Sequence, residues 1–131
     1  MLKQLKKFQL PVVLKSIVEL SHDKEFDMYA RNVSMHLKAN TAGEFTQTLE
    51  KDVLPLLRKQ NGFKDELSFI TLDRSEAVAI SLWDRKENAE TYSRDIYPQV
   101  LKSLTKVVEG TPKVEAYEVS NSTFHKIAAS N

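Results

Sequence analysis

Five side chains in this sequence have the chemistry to bind or activate a small organic molecule: Asn32, His36, Trp83, Tyr92 and Tyr97. The Asn32 amide can stabilise an oxyanion, and the His36 imidazole is of the side-chain type that most often acts as a general base. Trp83 offers an aromatic wall with an N–H donor, and the two tyrosines offer phenol hydroxyls. Each also has a structural interpretation: a satisfied amide, an exposed imidazole, or aromatic packing.

Several classes of site are excluded by composition. The absence of cysteine removes disulfides, thiolate nucleophiles and cysteine-ligated metals. The three histidines show no metal-ligand spacing, and three glycines cannot form a phosphate loop or a dinucleotide fingerprint. A net charge of +1 provides no field that attracts nucleic acid. We therefore expect no cofactor, no metal and no nucleic-acid partner.

The N-terminal segment 1–26 is predicted to be a helical extension. Its apolar run over 8–20 is interrupted by Lys15 and Glu19 and is followed by no cleavage site, which argues against a secretory signal. Apolar residues recur there at helical spacing, so a short amphipathic helix is expected at about 11–20. No stretch reaches the ~18 apolar residues of a membrane span, and a cytoplasmic location is expected.

Periodicity over 27–120 predicts one α+β domain, with a polar tail over 121–131. The predicted elements are strand 28–38, a helix from Thr41 to Asn61, strands 67–72 and 76–83, a helix over 84–108 broken near Pro98, and strand 114–119. Both helices begin with box-like capping patterns, Thr41 with Glu44 and Asp84 with Glu87. This βαββαβ order is typical of a ferredoxin-like fold, in which helices cover one face of a four-stranded antiparallel sheet.

Alternation within the strands divides bulky from small side chains. In strand 76–83 the bulky set is Val78, Ile80 and Leu82, and the first strand divides the same way, with Val33 in the bulky set and Asn32 in the small and polar one. We expect the small and polar sets to face the helices and leave a pocket. The bulky face would then be open and would pair with a second copy, unless the N-terminal helix covers it.

Two charged groups are given structural interpretations. Arg31 interrupts the bulky face and is expected to pair with a carboxylate at the rim of the dimer. The acidic pair Asp65-Glu66 is expected to be a solvated surface.

Five segments, in this order and context, resemble the antibiotic biosynthesis monooxygenase family of the dimeric α+β barrel superfamily: Val53-Leu54-Pro55-Leu56-Leu57-Arg58, Gly62-Phe63, Leu82-Trp83-Asp84, Tyr97-Pro98-Gln99-Val100-Leu101 and Pro112-Lys113-Val114. The resemblance covers about residues 28–120. It implies a homodimer that oxygenates a small aromatic or quinol-type substrate without flavin or metal.

Haem-degrading relatives of that family use an Asn on the first strand, a Trp ending the third and a His on the second helix. Asn32 and Trp83 match the first two positions, but residues 85–110 contain no histidine, which argues against haem ligation. The resemblance thus implies catalytic roles for Asn32 and Trp83. His36, Tyr92 and Tyr97 are expected to be substrate-binding residues because of their chemistry and their predicted positions, His36 on the Asn32 face and the tyrosines on or beside the second helix. The alternatives are a non-catalytic small-molecule-binding module and a structural dimerisation domain.

Overall fold

The computed structural model describes residues 28–125, of which 28–119 form one compact unit. The helical extension predicted for 1–26 lies outside the described residues. The elements are β1 (Tyr29–Leu37), α1 (Ala42–Thr48), a π-helical turn (Leu49–Val53), α2 (Leu54–Arg58), β2 (Phe63–Ile70), β3 (Glu76–Trp83), α3 (Lys86–Asp95), α4 (Tyr97–Leu104) and β4 (Val108–Glu118).

The four strands form one antiparallel sheet in the order β2-β3-β1-β4. Helices follow β1 and β3 and pack against one face of this sheet, where their apolar residues join those of the strands in one core. The predicted ferredoxin-like α+β fold is confirmed.

Both helical connections are interrupted near a proline. The π-helical turn ends two residues before Pro55, whose ring clashes with the carbonyl four residues earlier in a regular α-helix. The second connection divides into α3 and α4 at Ile96, and Pro98 lies in the first turn of α4. The predicted break near Pro98 is confirmed.

The two predicted capping boxes are wrong. The Thr41 hydroxyl donates to the carbonyl oxygens of Lys38 (2.7 Å) and Val107 (3.2 Å), which ties the start of α1 to the start of β4. The helix predicted to begin at Asp84 is α3, which begins after Arg85. The Asp84 carboxylate instead accepts a hydrogen bond from Asn88 Nδ2 at 2.8 Å.

Strand pairing corrects the predicted faces of β1. Opposite residues of an antiparallel pair share a face, and Val33 lies opposite Ala79 while Met35 lies opposite Ala77. The bulky side chains of β1 therefore pack under the helices, against the small side chains of β3, and large and small together fill the layer. The prediction that small and polar side chains face the helices was right for β3 and wrong for β1.

The other face of the sheet carries no helix of the described residues. Here Phe69 lies beside Val78 and Leu67 beside Ile80, and Phe69 and Leu67 are 53% and 44% exposed. We call the side chains of this surface (Leu67, Phe69, Val78, Ile80, Leu82 and the neighbouring Ala30, Asn32 and Ser34 of β1) the open face.

Candidate functional site

A cavity lies between the sheet and the helices. About 40 Å³ of it is accessible to the centre of a water molecule. Most of its lining is apolar, from Val33, Met35, Leu49, Val53, Leu57, Ala79, Val100 and Leu104. Its polar lining consists of Arg31, Glu66, Ser81, Tyr92 and Tyr97. An apolar space with a few converging polar groups has the character of a small-molecule site.

Arg31 is buried in this cavity, with 5% of its surface exposed. Its guanidinium carbon lies 4.4 Å from the centre of the Tyr97 ring and 5.2 Å from that of Tyr92, and Nη2 donates to Ser93 Oγ at 3.3 Å. Within residues 28–125 no carboxylate lies within ion-pair distance of it. Burial lowers the Arg31 pKa, but an arginine keeps its charge. Arg31 lies on the helix side of the sheet, so its predicted position at the rim of the dimer is wrong, and aromatic faces hold the cation.

The two tyrosines remain neutral hydrogen-bond donors at neutral pH. Burial raises the pKa of Tyr92 to about 12 and raises that of Tyr97 as well, while the positive charge of Arg31 opposes both shifts. The Tyr97 hydroxyl oxygen is buried and has no well-aligned hydrogen-bond partner among the described residues. Arg31 is close enough to hydrogen-bond to this oxygen and so to hold the Tyr97 pKa down, but it is a donor and leaves the hydroxyl hydrogen without an acceptor. That hydroxyl is available to a bound molecule.

Glu66 is the carboxylate of the cavity. It lies opposite Ser81, which in turn lies opposite Arg31, so the three form a row across β2, β3 and β1 on the helix side. Burial raises the pKa of Glu66, and a hydrogen bond from the Ser68 hydroxyl lowers it by a smaller amount.

Trp83 lies outside the cavity lining and supports it. It is fully buried, its indole N–H donates to Ser81 Oγ at 2.9 Å, and its ring centre lies 5.0 Å from that of Tyr92 and 5.6 Å from that of Phe63. Trp83 therefore orients two cavity groups, Ser81 and Tyr92. Its predicted catalytic role stays a prediction.

Asn32 and His36 do not face the cavity. Asn32 lies on the open face opposite Ile80 and Glu115, and its amide oxygen is buried without a partner among the described residues. His36 is exposed, with Nδ1 at 3.7 Å from Glu76. The expectation that this side of β1 faces the helices was wrong, so the structure brings together Tyr92 and Tyr97 but not Asn32 and His36. Roles for the latter two stay predictions.

Sequence reasoning missed Arg31 and Glu66 as cavity residues. A signal for Arg31 existed, since it is a charged residue in phase with Val33 and Met35, whose face is the core. Glu66 alternates in phase with Ser68 and Ile70, which gives no comparable signal.

A larger groove lies outside the cavity, between α3 and β4. About 470 Å³ of it is accessible to the centre of a water molecule, and it is lined by Arg31, Lys86, Glu90, Ser93 and Tyr117 among others. Arg31 lines both spaces, so the groove and the cavity meet at its side chain.

Within residues 28–125, no three histidine, aspartate or glutamate side chains are grouped to hold a metal ion. None of the helices in that range combines the length and the apolar character needed to cross a membrane.

Comparison by sequence matches no family model and no curated protein. Comparison by structure is informative. A Streptomyces coelicolor monooxygenase in complex with nanaomycin D is 13% identical, with a TM-score of 0.62 over 72% of this chain and 88% of that one. A cofactor-independent oxygenase from Streptomyces nogalater is 14% identical, with a TM-score of 0.59 over 75% and 97%. A candidate antibiotic biosynthesis monooxygenase from Bordetella bronchiseptica is 12% identical, with a TM-score of 0.60 over 69% and 94%.

The chain has the fold of these monooxygenases. At such low identity the likeness establishes the fold alone, and it confirms at that level the resemblance to the antibiotic biosynthesis monooxygenases. A fold does not determine an activity, which depends on the residues of the site.

Proposed function

We propose that this chain is a cofactor-independent monooxygenase that oxidises a small aromatic or quinol-type substrate in the cavity between sheet and helices. The observation that carries the proposal is Arg31, a buried cation stacked on Tyr97 in a mostly apolar cavity, with no carboxylate of residues 28–125 within ion-pair distance. A buried charge is costly unless it is paired, so the site favours an anionic ligand. A flat phenolate combines a negative charge with an apolar ring.

Ionisation of a phenol is also the step that makes it reactive towards oxygen. The phenolate places electron density on a ring carbon, and that carbon can add molecular oxygen to give a hydroperoxide. Where the carbon also carries hydrogen, loss of water leaves a carbonyl, with one oxygen atom in the product and the other in water. No added reductant is needed. Arg31 and the free Tyr97 hydroxyl would stabilise the phenolate oxygen by charge and by hydrogen bonding.

The cavity is small in the unliganded chain. About 40 Å³ of it is accessible to the centre of a water molecule, which is room for a few waters, so the lining side chains would have to move apart to admit an aromatic ring. The groove shares Arg31 with the cavity, so a substrate from solvent would enter past that side chain.

A second copy of the chain is proposed to cover the open face. Its exposed apolar side chains, Leu67 and Phe69, lie beside Val78 and Ile80 in one patch. Apolar patches of this kind usually mark interfaces, and a stable interface buries about 800 Å² on each partner.

Incubation with hydroquinones and anthrones, in air and without oxygen, tests the oxygenase proposal. We expect products that form only in air and that carry one atom from isotopically labelled oxygen. Identical product profiles with and without oxygen would contradict the oxygenase proposal. Recovery of a bound ligand unchanged would favour a non-catalytic binding module.

Substitution of the buried cation makes this test specific. Arg31→Gln should lower kcat/KM by about 10²-fold, the usual cost of losing a group that stabilises an oxyanion. The control is Arg94→Gln, which removes an exposed arginine paired with Asp95.

A further inference from the structure

We infer that Glu66 is the general base that takes the proton from the substrate hydroxyl, an assignment that rests on the proposed function. Glu66 and Arg31 occupy the two ends of a row across three strands, and Ser81 occupies the middle. All three line the cavity.

The spacing of this row leaves room for a hydroxyl between a base and a cation. Neighbouring strands lie about 4.8 Å apart, so the backbones of Glu66 and Arg31 are separated by roughly 10 Å. The residue between them is as small as serine, and its hydroxyl oxygen is occupied by the Trp83 indole N–H. A substrate oxygen above Ser81 would be within reach of both long side chains.

No other group that lines the cavity can act as the base. The charged and titratable groups facing Glu66 are Arg31 from β1, Tyr92 from α3 and Tyr97 from α4. Arg31 is a cation, and both tyrosines hold their protons more tightly than ordinary phenols. The first helical connection contributes only Leu49, Val53 and Leu57 to the lining. The partial burial of Glu66 brings its carboxyl pKa closer to neutral, where a base works best.

The proton and electron balance of the step is simple. The Glu66 carboxylate accepts the hydroxyl proton and becomes a carboxylic acid, and the substrate becomes a phenolate. The ring carbon adds molecular oxygen, and the acid returns its proton to the distal peroxide oxygen. The C–H proton and the hydroxide released by O–O cleavage then leave as water, so Glu66 ends as it began.

Phenols of different acidity separate a base from a structural residue. For a phenol that is neutral at the assay pH, Glu66→Gln should lower kcat by about 10²-fold, whereas for a phenol already ionised the loss should be within a few-fold. Glu87→Gln, which removes an exposed carboxylate on α3, is the control. An equal loss with both classes of phenol would overturn the assignment, as would no loss with either.

A binding measurement without oxygen makes the test independent of turnover. We expect para-nitrophenol, bound to the wild-type chain below its own pKa, to show phenolate absorption without proton release to the buffer, because the proton moves to Glu66. In Glu66→Gln the phenolate absorption should be lost or accompanied by release of a proton. Phenolate binding with full proton release in the wild type, or neutral binding there, would overturn the assignment of Glu66.

The two measurements also separate this inference from the proposed function. Oxygen-dependent turnover without proton transfer to Glu66 would contradict the role of Glu66 as the base but support the oxygenase proposal. Proton transfer without oxygen consumption would contradict the oxygenase proposal but support the role of Glu66.

Discussion

The guanidinium carbon of Arg31 lies 4.4 Å from the centre of the Tyr97 ring, so the cation of β1 is stacked on the first residue of α4. The Tyr97 hydroxyl, at the rim of the same ring, is buried, and no acceptor for its hydrogen lies among residues 28–125. One residue therefore offers an uncompensated charge and the other an uncompensated donor. The oxygen of a single anionic ligand could pair with the Arg31 cation and accept a hydrogen bond from the Tyr97 hydroxyl.

Tyr97→Phe should stabilise the folded chain while lowering activity. Removal of an unpaired buried hydroxyl relieves its desolvation penalty, so the free energy of unfolding should rise by roughly 1 kcal/mol. Urea denaturation measures this change, and Tyr117→Phe is the control, since its exposed hydroxyl donates to Glu115 at 3.0 Å. Destabilisation by Tyr97→Phe would mean that the hydroxyl has a partner in the unliganded protein.

Glu66→Gln should stabilise the chain at neutral pH and not at low pH. Burial raises the pKa of Glu66 in the folded chain, so the folded state prefers the protonated acid. Stability from that preference is present below the unfolded pKa and is lost as pH rises through the folded pKa. Glutamine resembles the protonated acid at every pH. The Glu66→Gln variant should therefore exceed the wild type in free energy of unfolding only at pH values above the unfolded pKa of Glu66. Urea denaturation over a pH series measures the effect.

The control for this pH series is Glu87→Gln, which removes an exposed carboxylate. A gain for Glu66→Gln that grows towards low pH, or that equals the control at every pH, would contradict the prediction.

Gly62→Ala should destabilise the chain by more than about 1 kcal/mol. Gly62 has φ +79°, and an added Cβ would overlap the side chains of Asp84 and Asn88. Gly43→Ala is the matched control: it lies in α1, an added Cβ meets nothing within 4 Å, and the change should stabilise by about 0.5–1 kcal/mol. Thermal unfolding of the two variants should move in opposite directions.

Phe69→Lys should dissociate the proposed dimer. A charge at the centre of the apolar patch would have to be buried against the second copy without a partner. Size-exclusion chromatography with light scattering, at micromolar concentration, reports the mass. Leu72→Lys is the control, because Leu72 is fully exposed in the turn between β2 and β3. A monomeric wild type, or a dimeric Phe69→Lys variant, would refute the interface.

Local signals were sufficient for the order of the elements. Alternation in β1, the apolar stripe of the first helical connection and the left-handed Gly62 all depend on neighbours in the chain, and all are present in the structure. The break near Pro98 is equally local, because proline disrupts its own helix. The ferredoxin-like fold followed from this order.

Pairing overrode local signals in two strands. Gly110-Thr111-Pro112 predicts an interruption, and these residues form an irregularity inside β4, which nevertheless begins at Val108 because it pairs there with Leu37. Likewise β2 begins at Phe63, four residues before its predicted start, where it pairs with Trp83.

The cavity was decided by tertiary structure alone. Alternation divides each strand into two sets of side chains, but it does not say which set of one strand shares a face with which set of the next. Register decides that, and here it places Arg31, Ser81 and Glu66 in one row under the helices and turns Asn32 away. A shift of one residue in β1 would exchange its two faces, and with them the residues that could touch a substrate.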